Sequence, residues 1–247
     1  AVAWPLCYRI TMNTETLDQP IVADVAVSAP AVVIESATPA VAAVAEGPNP
    51  FIALGLDGAL VRAVSDLGYT QPTEVQAKVI PLAMGSGKAD EASIDLMVSS
   101  QTGSGKTAAF LLPVLNTLIA QKAIEAAAEQ AEFERQRAQA AASGEAAPKR
   151  AKRKNPMQSR NFKAAVPGAL VLCPTRELAQ QVAQDAIELV KHCKNLRVAN
   201  VVGGMPYQLQ IAKLQNADLV VATPGRLLDL QRSLQIKLDK VQFLVCD

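Results

Sequence analysis

The sequence predicts an α/β fold in which helices cover both faces of a parallel sheet. From residue 94 onward, short apolar runs that are typical of buried strands alternate with helical patterns. This alternation is the mark of parallel sheets with crossover helices. Half of the 247 residues are apolar, which is enough for a substantial core. A glycine-containing loop links the first of these strands, residues 94–99, to the helix that follows it.

That loop, Ser-Gln-Thr-Gly-Ser-Gly-Lys-Thr, has the chemistry of a phosphate-binding loop. Gly103 and Gly105 let the backbone turn its N–H groups toward a phosphate. Lys106 supplies a cation for the phosphate oxygens, and the Thr107 hydroxyl is a candidate ligand for Mg²⁺. Ser100 stands where the common pattern has glycine. The whole loop is a candidate nucleotide contact: Ser100, Gln101, Thr102, Gly103, Ser104, Gly105, Lys106 and Thr107.

The remaining elements follow from capping residues and periodicity. Asp57 is expected to cap a helix over 58–67, and Thr73 a helix that runs to about Ala83. Further strands are expected at 169–173, 197–202, 218–221 and 242–246, with helices at 176–191, 206–215 and 224–234.

Several polar segments follow the carboxyl ends of these strands. They are the phosphate loop, Pro174–Ala179, Gly203–Gly204, Thr223–Arg226 and Asp247. In a parallel sheet these ends lie at one edge, where ligands collect. The sequence therefore predicts one composite site.

Composition limits the other possibilities. A net charge of +1 gives no overall argument for nucleic acid, and four cysteines without ligand spacing suit a reducing cytoplasm. No apolar run is long enough for a membrane span. Residues 1–48 are expected to be a disordered tail, and 121–166 a low-complexity insertion. Its basic part, Lys149–Lys163, is either a tolerated surface insertion or an auxiliary RNA contact.

The two ends of the sequence are unusual. The first Met is Met12, and residues 1–11 differ in character from the alanine-rich text after them. We hypothesise that translation starts at Met12. The sequence stops on a predicted strand running into Asp247, which indicates a fragment.

Residues 51–247, apart from the insertions, closely resemble the first RecA-like domain of the DEAD-box ATP-dependent RNA helicases. Residues 68–76, Gly-Tyr-Thr-Gln-Pro-Thr-Glu-Val-Gln, resemble the Q motif of that family, within a region spanning 49–77. The resemblance implies that the Gln76 amide binds the adenine edge and that Tyr69 stacks on its ring. Phe51, the isolated upstream aromatic residue, and Gln71 are further expected nucleotide contacts.

Three more segments resemble family motifs that bind the RNA sugar–phosphate backbone. The implied RNA contacts are Pro174, Thr175, Arg176, Gly203, Gly204, Thr223, Pro224, Gly225 and Arg226. Hydroxyls, glycines and arginine forks suit sequence-independent phosphate binding. Structural alternatives stay open: Thr175 and Thr223 can be helix caps, and Arg176 can pair with Glu177 or Asp185.

Val245–Asp247 resembles the start of the Asp-Glu-Ala-Asp motif. The resemblance implies that Asp247 holds Mg²⁺ and that Lys106 and Asp247 serve catalysis in an ATP-dependent RNA helicase, with 78–247 as its ATP-binding domain. The family's catalytic Glu and arginine finger are not in this sequence, so we expect the chain alone to be inactive. The family's sheet also has a strand between the phosphate-loop strand and the Asp247 strand, and we expect a central gap there. A DNA-directed translocase and a non-enzymatic ATP- and RNA-binding product are the alternatives.

Overall fold

A computed structural model describes residues 8–13, 49–85, 95–143 and 163–247. Six strands are present in this part of the chain: β1 (Tyr8–Asn13), β2 (Leu96–Ser99), β3 (Ala169–Leu172), β4 (Val198–Val201), β5 (Leu219–Ala222) and β6 (Phe243–Cys246). Six α-helices accompany them: α1 (Gly58–Asp66), α2 (Glu74–Met84), α3 (Lys106–Ser143), α4 (Arg176–Leu189), α5 (Tyr207–Leu214) and α6 (Pro224–Arg232), with a 3₁₀ helix at Pro50–Leu54.

The six strands form a single parallel sheet in the order β2-β1-β6-β3-β5-β4. Each of β2 to β5 is followed by a helix, so that crossover helices return the chain to the start of the next strand. Because all strands run the same way, the loops after them open on one edge of the sheet.

Two apolar layers cover the sheet, as the strand–helix alternation predicts. On one face, side chains such as Val171, Val221 and Val245 pack with α1 to α4. On the other face, side chains such as Leu170 and Val220 pack with α5 and α6. The α/β fold with helices on both faces is therefore confirmed.

The expected capping residues also perform as predicted. The Asp57 carboxylate accepts a hydrogen bond from the Ala59 amide at 2.8 Å at the start of α1. Thr73 and Gln76 form a reciprocal capping box at the start of α2. Both features depend only on residues within one helical turn, which explains why they could be predicted.

Helix α3 extends far beyond its buried half. Its first turns are mostly buried, whereas residues from Glu125 to Ala141 are mostly exposed, in line with the expected extension into solvent. At the exit point, Lys122 pairs with Asp218 at 3.0 Å, and Asp218 also accepts the Arg197 amide at 3.0 Å. This ion pair ties the base of the extension to the sheet. The rest of the basic insertion, 144–162, lies outside the described residues.

Among the described residues, α3 is the one helix that is long and apolar enough to cross a membrane by length and composition. Half of its most apolar window is buried inside the protein. The core helix of a globular protein passes the same test of length and composition.

The structure corrects two predictions at the N-terminal side. Tyr8–Asn13 is not a disordered tail but a strand, and it occupies the expected central gap by pairing with both β2 and β6. The physical reason is that both flanking strands offer unpaired backbone groups, which the two ladders of β1 satisfy. The rest of the predicted tail, 1–7 and 14–48, lies outside the described residues. A start at Met12 stays a hypothesis, and it would remove most of β1.

Candidate functional site

The phosphate loop lies between β2 and the N-terminus of α3, as predicted. Gly103 and Gly105 have φ of +80° and +83°, a backbone conformation that residues other than glycine rarely adopt. Ser100 and Ser104 join their hydroxyls across the loop at 2.7 Å. The serine that replaces the expected glycine thus closes the loop, and the loop leads into the positive end of a helix dipole.

Lys106 is the first residue of α3 and is nine-tenths buried. Its ammonium group donates to the carbonyl oxygens of Ser100 and Gln101, the latter at 2.9 Å. The cation is therefore held inside the loop by neutral acceptors, without a carboxylate partner among the described ion pairs. A cation in this position favours an anion at the mouth of the loop.

Asp247 lies near this cation. Burial raises the pKa of the Asp247 carboxyl, and the charge of Lys106 opposes that shift. The Asp247 amide donates to Leu172 at 2.9 Å, which continues the β3–β6 ladder to the strand end. Burial, followed by the charge of Asp247, raises the pKa of the adjacent Cys173 thiol to about 12, so this thiol is inert packing.

Gln76 connects α2 to the phosphate loop. Its side-chain oxygen accepts the Thr73 amide at 3.0 Å, and its side-chain nitrogen donates to the Gly105 carbonyl at 3.2 Å. Thr73 adds a second link, because its hydroxyl donates to the backbone carbonyl of Ser104 at 2.9 Å. Gln76 thus holds the loop, a role that sequence reasoning missed. Its contact with adenine stays a prediction. The side-chain nitrogen of Gln76 keeps a second N–H and its oxygen a second lone pair for such a contact.

The other expected nucleotide contacts differ from one another. Phe51 is completely buried in the core, so the expected ligand contact is not available to its side chain in this structure. The 3₁₀ helix that carries Phe51 turns the ring inward against α1, because an isolated large aromatic side chain gains most from full burial. Tyr69 is 41% exposed and Gln71 is exposed, so both are accessible.

Arg176 lies over the predicted glycine pair. A Cβ atom at Gly203 would come within 3.1 Å of the Arg176 guanidinium, and one at Gly204 within 3.3 Å. A larger residue at either position would therefore force the Arg176 guanidinium to move by a few tenths of an ångström. No ion pair with Glu177 or Asp185 forms in the described part of the chain, so the structural alternative for Arg176 is not realised.

Arg226, by contrast, is committed to neighbouring groups. Its guanidinium donates to Gln210 at 3.0 Å and to the Met205 carbonyl at 2.9 Å, and it lies 5.2 Å from the centre of the Tyr207 ring. Gln210 has no exposed surface and donates in turn to the Val202 carbonyl at the end of β4. This network ties the loop after β4 to the start of α6, and the sequence offered no local signal for it.

The two threonines have different roles. The Thr175 hydroxyl accepts the Leu178 amide at 3.2 Å and so caps α4, as the alternative to an RNA contact predicted. Thr223 occupies the corresponding position before α6 but makes no capping bond with its side chain. Its hydroxyl, with exposed Pro224 and Gly225 beside it, is free for a ligand.

The predicted oxygen donors suit a hard cation. Thr107 and Asp247 offer a hydroxyl and a carboxylate, and Mg²⁺ is commonly held by one or two such groups together with phosphates and water. Within the described residues, no group of three or more His, Cys, Asp or Glu side chains could hold a metal without a ligand. The donor set therefore fits a nucleotide-bound Mg²⁺ and not an all-protein cage.

Comparisons with known proteins identify the family. The family model of the DEAD/DEAH box helicases matches residues 73–247. The DEAD-box ATP-dependent RNA helicase 52A of Oryza sativa is 39% identical over 80% of this chain and 27% of its own length. The ATP-dependent RNA helicase DeaD of Escherichia coli is 34% identical over 82% of this chain and 25% of its own. The chain thus spans about a quarter of the length of these relatives.

Solved structures agree. Dbp5 from S. cerevisiae, bound to RNA and ADP BeF3, is 25% identical and has a TM-score of 0.54 over 81% of this chain and 38% of its own. A hypothetical ATP-dependent RNA helicase from Sulfolobus tokodaii is 31% identical with a TM-score of 0.53 over 78% of this chain and 41% of its own. These neighbours confirm the RecA-like fold. The chain belongs to the DEAD/DEAH box helicase family.

Proposed function

We propose that this chain is the Mg²⁺·ATP-binding and RNA-backbone-binding part of an ATP-dependent RNA helicase. The observation that carries the proposal is the convergence of five strand-end segments on one edge of the sheet. The phosphate loop and Asp247 occupy one half of this edge, and the glycine pair with Arg176 occupies the other.

In this proposal the loop amides and Lys106 bind the phosphates of ATP, while Thr107 and Asp247 hold Mg²⁺. Bound Mg²⁺ would neutralise phosphate charge during hydrolysis. Lys106 already lies inside the loop, so it needs only to exchange neutral carbonyl partners for phosphate oxygens. Residues that complete the transition state in the family are absent from this sequence, and we propose that the chain by itself binds ATP without turnover.

For RNA, Arg176 and the Thr223 hydroxyl are the groups that remain uncommitted at the other half of the edge. An arginine and a hydroxyl both bind phosphate oxygens well. Such contacts to the sugar–phosphate backbone carry no information about the base sequence. Arg226 acts by holding the loop after β4 in place. A cytoplasmic location and the lack of a membrane partner remain parts of the proposal.

Nucleotide binding is tested by titration of the chain with a fluorescent ATP analogue in the presence and absence of Mg²⁺. We expect binding that Mg²⁺ strengthens and that Lys106→Ala abolishes, whereas Lys78→Ala, on an exposed face of α2, has no effect. Equal affinity of the chain and of Lys106→Ala would contradict the nucleotide site. ATPase turnover by the chain alone would contradict the proposal that it only binds.

RNA binding is tested with single-stranded RNA and DNA of the same sequence over a range of salt concentrations. We expect a preference for RNA, no base preference, and weaker binding by Arg176→Ala with a salt slope reduced by about 0.7, the value for one lost contact to a single strand. Arg62→Ala, on α1, is the matched control. Equal affinity for DNA would favour the translocase alternative.

A further inference from the structure

The phosphate loop is internally hydrogen-bonded at the groups that the proposed function assigns to ATP. The Ser104 amide donates to the Gln101 carbonyl at 3.4 Å. The Lys106 ammonium group donates to the carbonyl oxygens of Ser100 and Gln101. In a loop that binds phosphate, the backbone amides and the lysine face the anion. These donors are therefore committed to the carbonyls of the loop itself, and we call this arrangement the self-paired form.

Ser100 is the residue that draws the two sides of the loop together. Its hydroxyl and that of Ser104 lie 2.7 Å apart, and both residues are partly buried. The Ser100 carbonyl is at the same time one of the two acceptors of Lys106. Glycine, which the common pattern has at this position, offers the carbonyl but no hydroxyl. The contact between the two hydroxyls is thus a property of this sequence and not of the pattern.

We propose that the Ser100 hydroxyl stabilises the self-paired form and thereby lowers the affinity of the loop for nucleotide. This role, which rests on the proposed ATP site, is that of a positioning residue, because Ser100 acts through Ser104 and Lys106. ATP binding requires the Ser104 amide and the Lys106 ammonium group to leave the Gln101 carbonyl. The hydroxyl contact opposes that exchange, since it holds the two sides of the loop together as they are in the self-paired form.

The exchange is confined to the first half of the loop. The carbonyls of Ser104 and Gly105 accept hydrogen bonds from the capping box of α2, at 2.9 and 3.2 Å. These bonds fix the half of the loop that leads into α3. On the other side of Ser104, Gly103 has a φ of +80° and no side chain, so the backbone can turn there at low cost. The contact between Ser100 and Ser104 therefore spans the part of the loop that can move.

The size of the effect follows from the loss of one hydrogen bond between neutral groups. The net contribution of such a bond corresponds to a factor of about two to ten in an equilibrium constant. A ligand that binds only the competent form of a site loses affinity in proportion to the population of the other form. We therefore expect Ser100→Ala to bind a fluorescent ATP analogue with Mg²⁺ about two- to tenfold more tightly than the unmodified chain.

The test is titration of the full chain and its variants with that analogue, after circular dichroism has established that each variant folds. Ser100→Gly, which restores the common pattern, is a second variant that should also bind more tightly than the unmodified chain. Ser99→Ala is the matched control, because Ser99 is exposed at the end of β2 and its loss should leave the affinity unchanged. In the Ser104→Ala background, Ser100→Ala should have no further effect, since the partner hydroxyl is already absent.

The sign of the change separates this role from a merely structural one, because damage to the loop would weaken nucleotide binding. Unchanged or weaker binding by folded Ser100→Ala overturns the proposal. An equal gain in the Ser104→Ala background also overturns it, since Ser100 would then not act through Ser104. If Ser100→Ala does not fold, Ser100→Gly decides by the same criteria. Failure of both the unmodified chain and these variants to bind the analogue would instead refute the proposed function, and the role of Ser100 would fall with it.

Discussion

Replacement of Gln210 by Leu is a direct test of the buried network behind the loop after β4. The Gln210 side chain has no exposed surface and joins two partners, the Val202 carbonyl and the Arg226 guanidinium. Leucine has a similar volume, so the substitution removes the hydrogen bonds without creating a large cavity. The buried Val202 carbonyl is left without this donor, whereas Arg226 is partly exposed and can turn toward water.

The expected loss of stability follows from these partners. An unsatisfied buried carbonyl costs about 1–3 kcal/mol, and a hydrogen bond to a charged group contributes about 1.5–3 kcal/mol, which solvation of Arg226 partly offsets. We therefore expect the free energy of unfolding to fall by about 2–4 kcal/mol. At about 2–4 °C for each kcal/mol in a domain of this size, the melting temperature should drop by roughly 4–16 °C.

The assay is urea unfolding followed by circular dichroism, with the slope of the transition compared between variants. Gln208→Leu is the matched control, because Gln208 is exposed on the same helix and its loss should change stability by less than about 0.5 kcal/mol. Equal midpoints for the two variants would show that the Gln210 network does not stabilise the fold, and the reasoning would fail.

Three further predictions concern the loop, a surface ion pair and the insertion. Gly105→Ala should destabilise the chain more than Gly103→Ala in urea unfolding. Both glycines have positive φ, but only a Cβ at Gly105 would meet another side chain, that of Gln76, at 2.5 Å. A larger loss of stability for Gly103→Ala would contradict this reasoning. The hydrogen bond with His192, followed by the nearby charges of His192 and Lys191, lowers the pKa of Asp66 below its ordinary value of 3.8. The stabilisation by Asp66 is therefore fully present above about pH 4 and lost as the pH falls through its lowered pKa. The difference in unfolding free energy between the chain and Asp66→Asn should vanish in strong acid. A difference that grows in acid would contradict the lowered pKa. Replacing the basic residues of 149–163 with Gln should leave RNA affinity and its salt slope unchanged if the segment is a tolerated insertion, and a shallower slope would establish it as an RNA contact.

Much of the architecture depends on patterns within a few residues and could be predicted. Strand–helix alternation placed the crossover order from β2 to β6, and the caps at Asp57 and Thr73 set where α1 and α2 begin. The glycine loop specified a turn with positive φ at Gly103 and Gly105. These features involve hydrogen bonds and torsion angles of neighbouring residues, so the local sequence determines them almost completely.

The tertiary structure alone decided which distant groups share a partner. It placed Gln76 against the Gly105 carbonyl, buried Phe51, and joined Arg226 to Gln210. It also inserted Tyr8–Asn13 between β2 and β6, more than 80 residues away along the chain from either strand. Such pairings satisfy backbone and side-chain groups across the packed interior, and their free energy depends on which surfaces the fold brings together and not on the residues beside them in sequence.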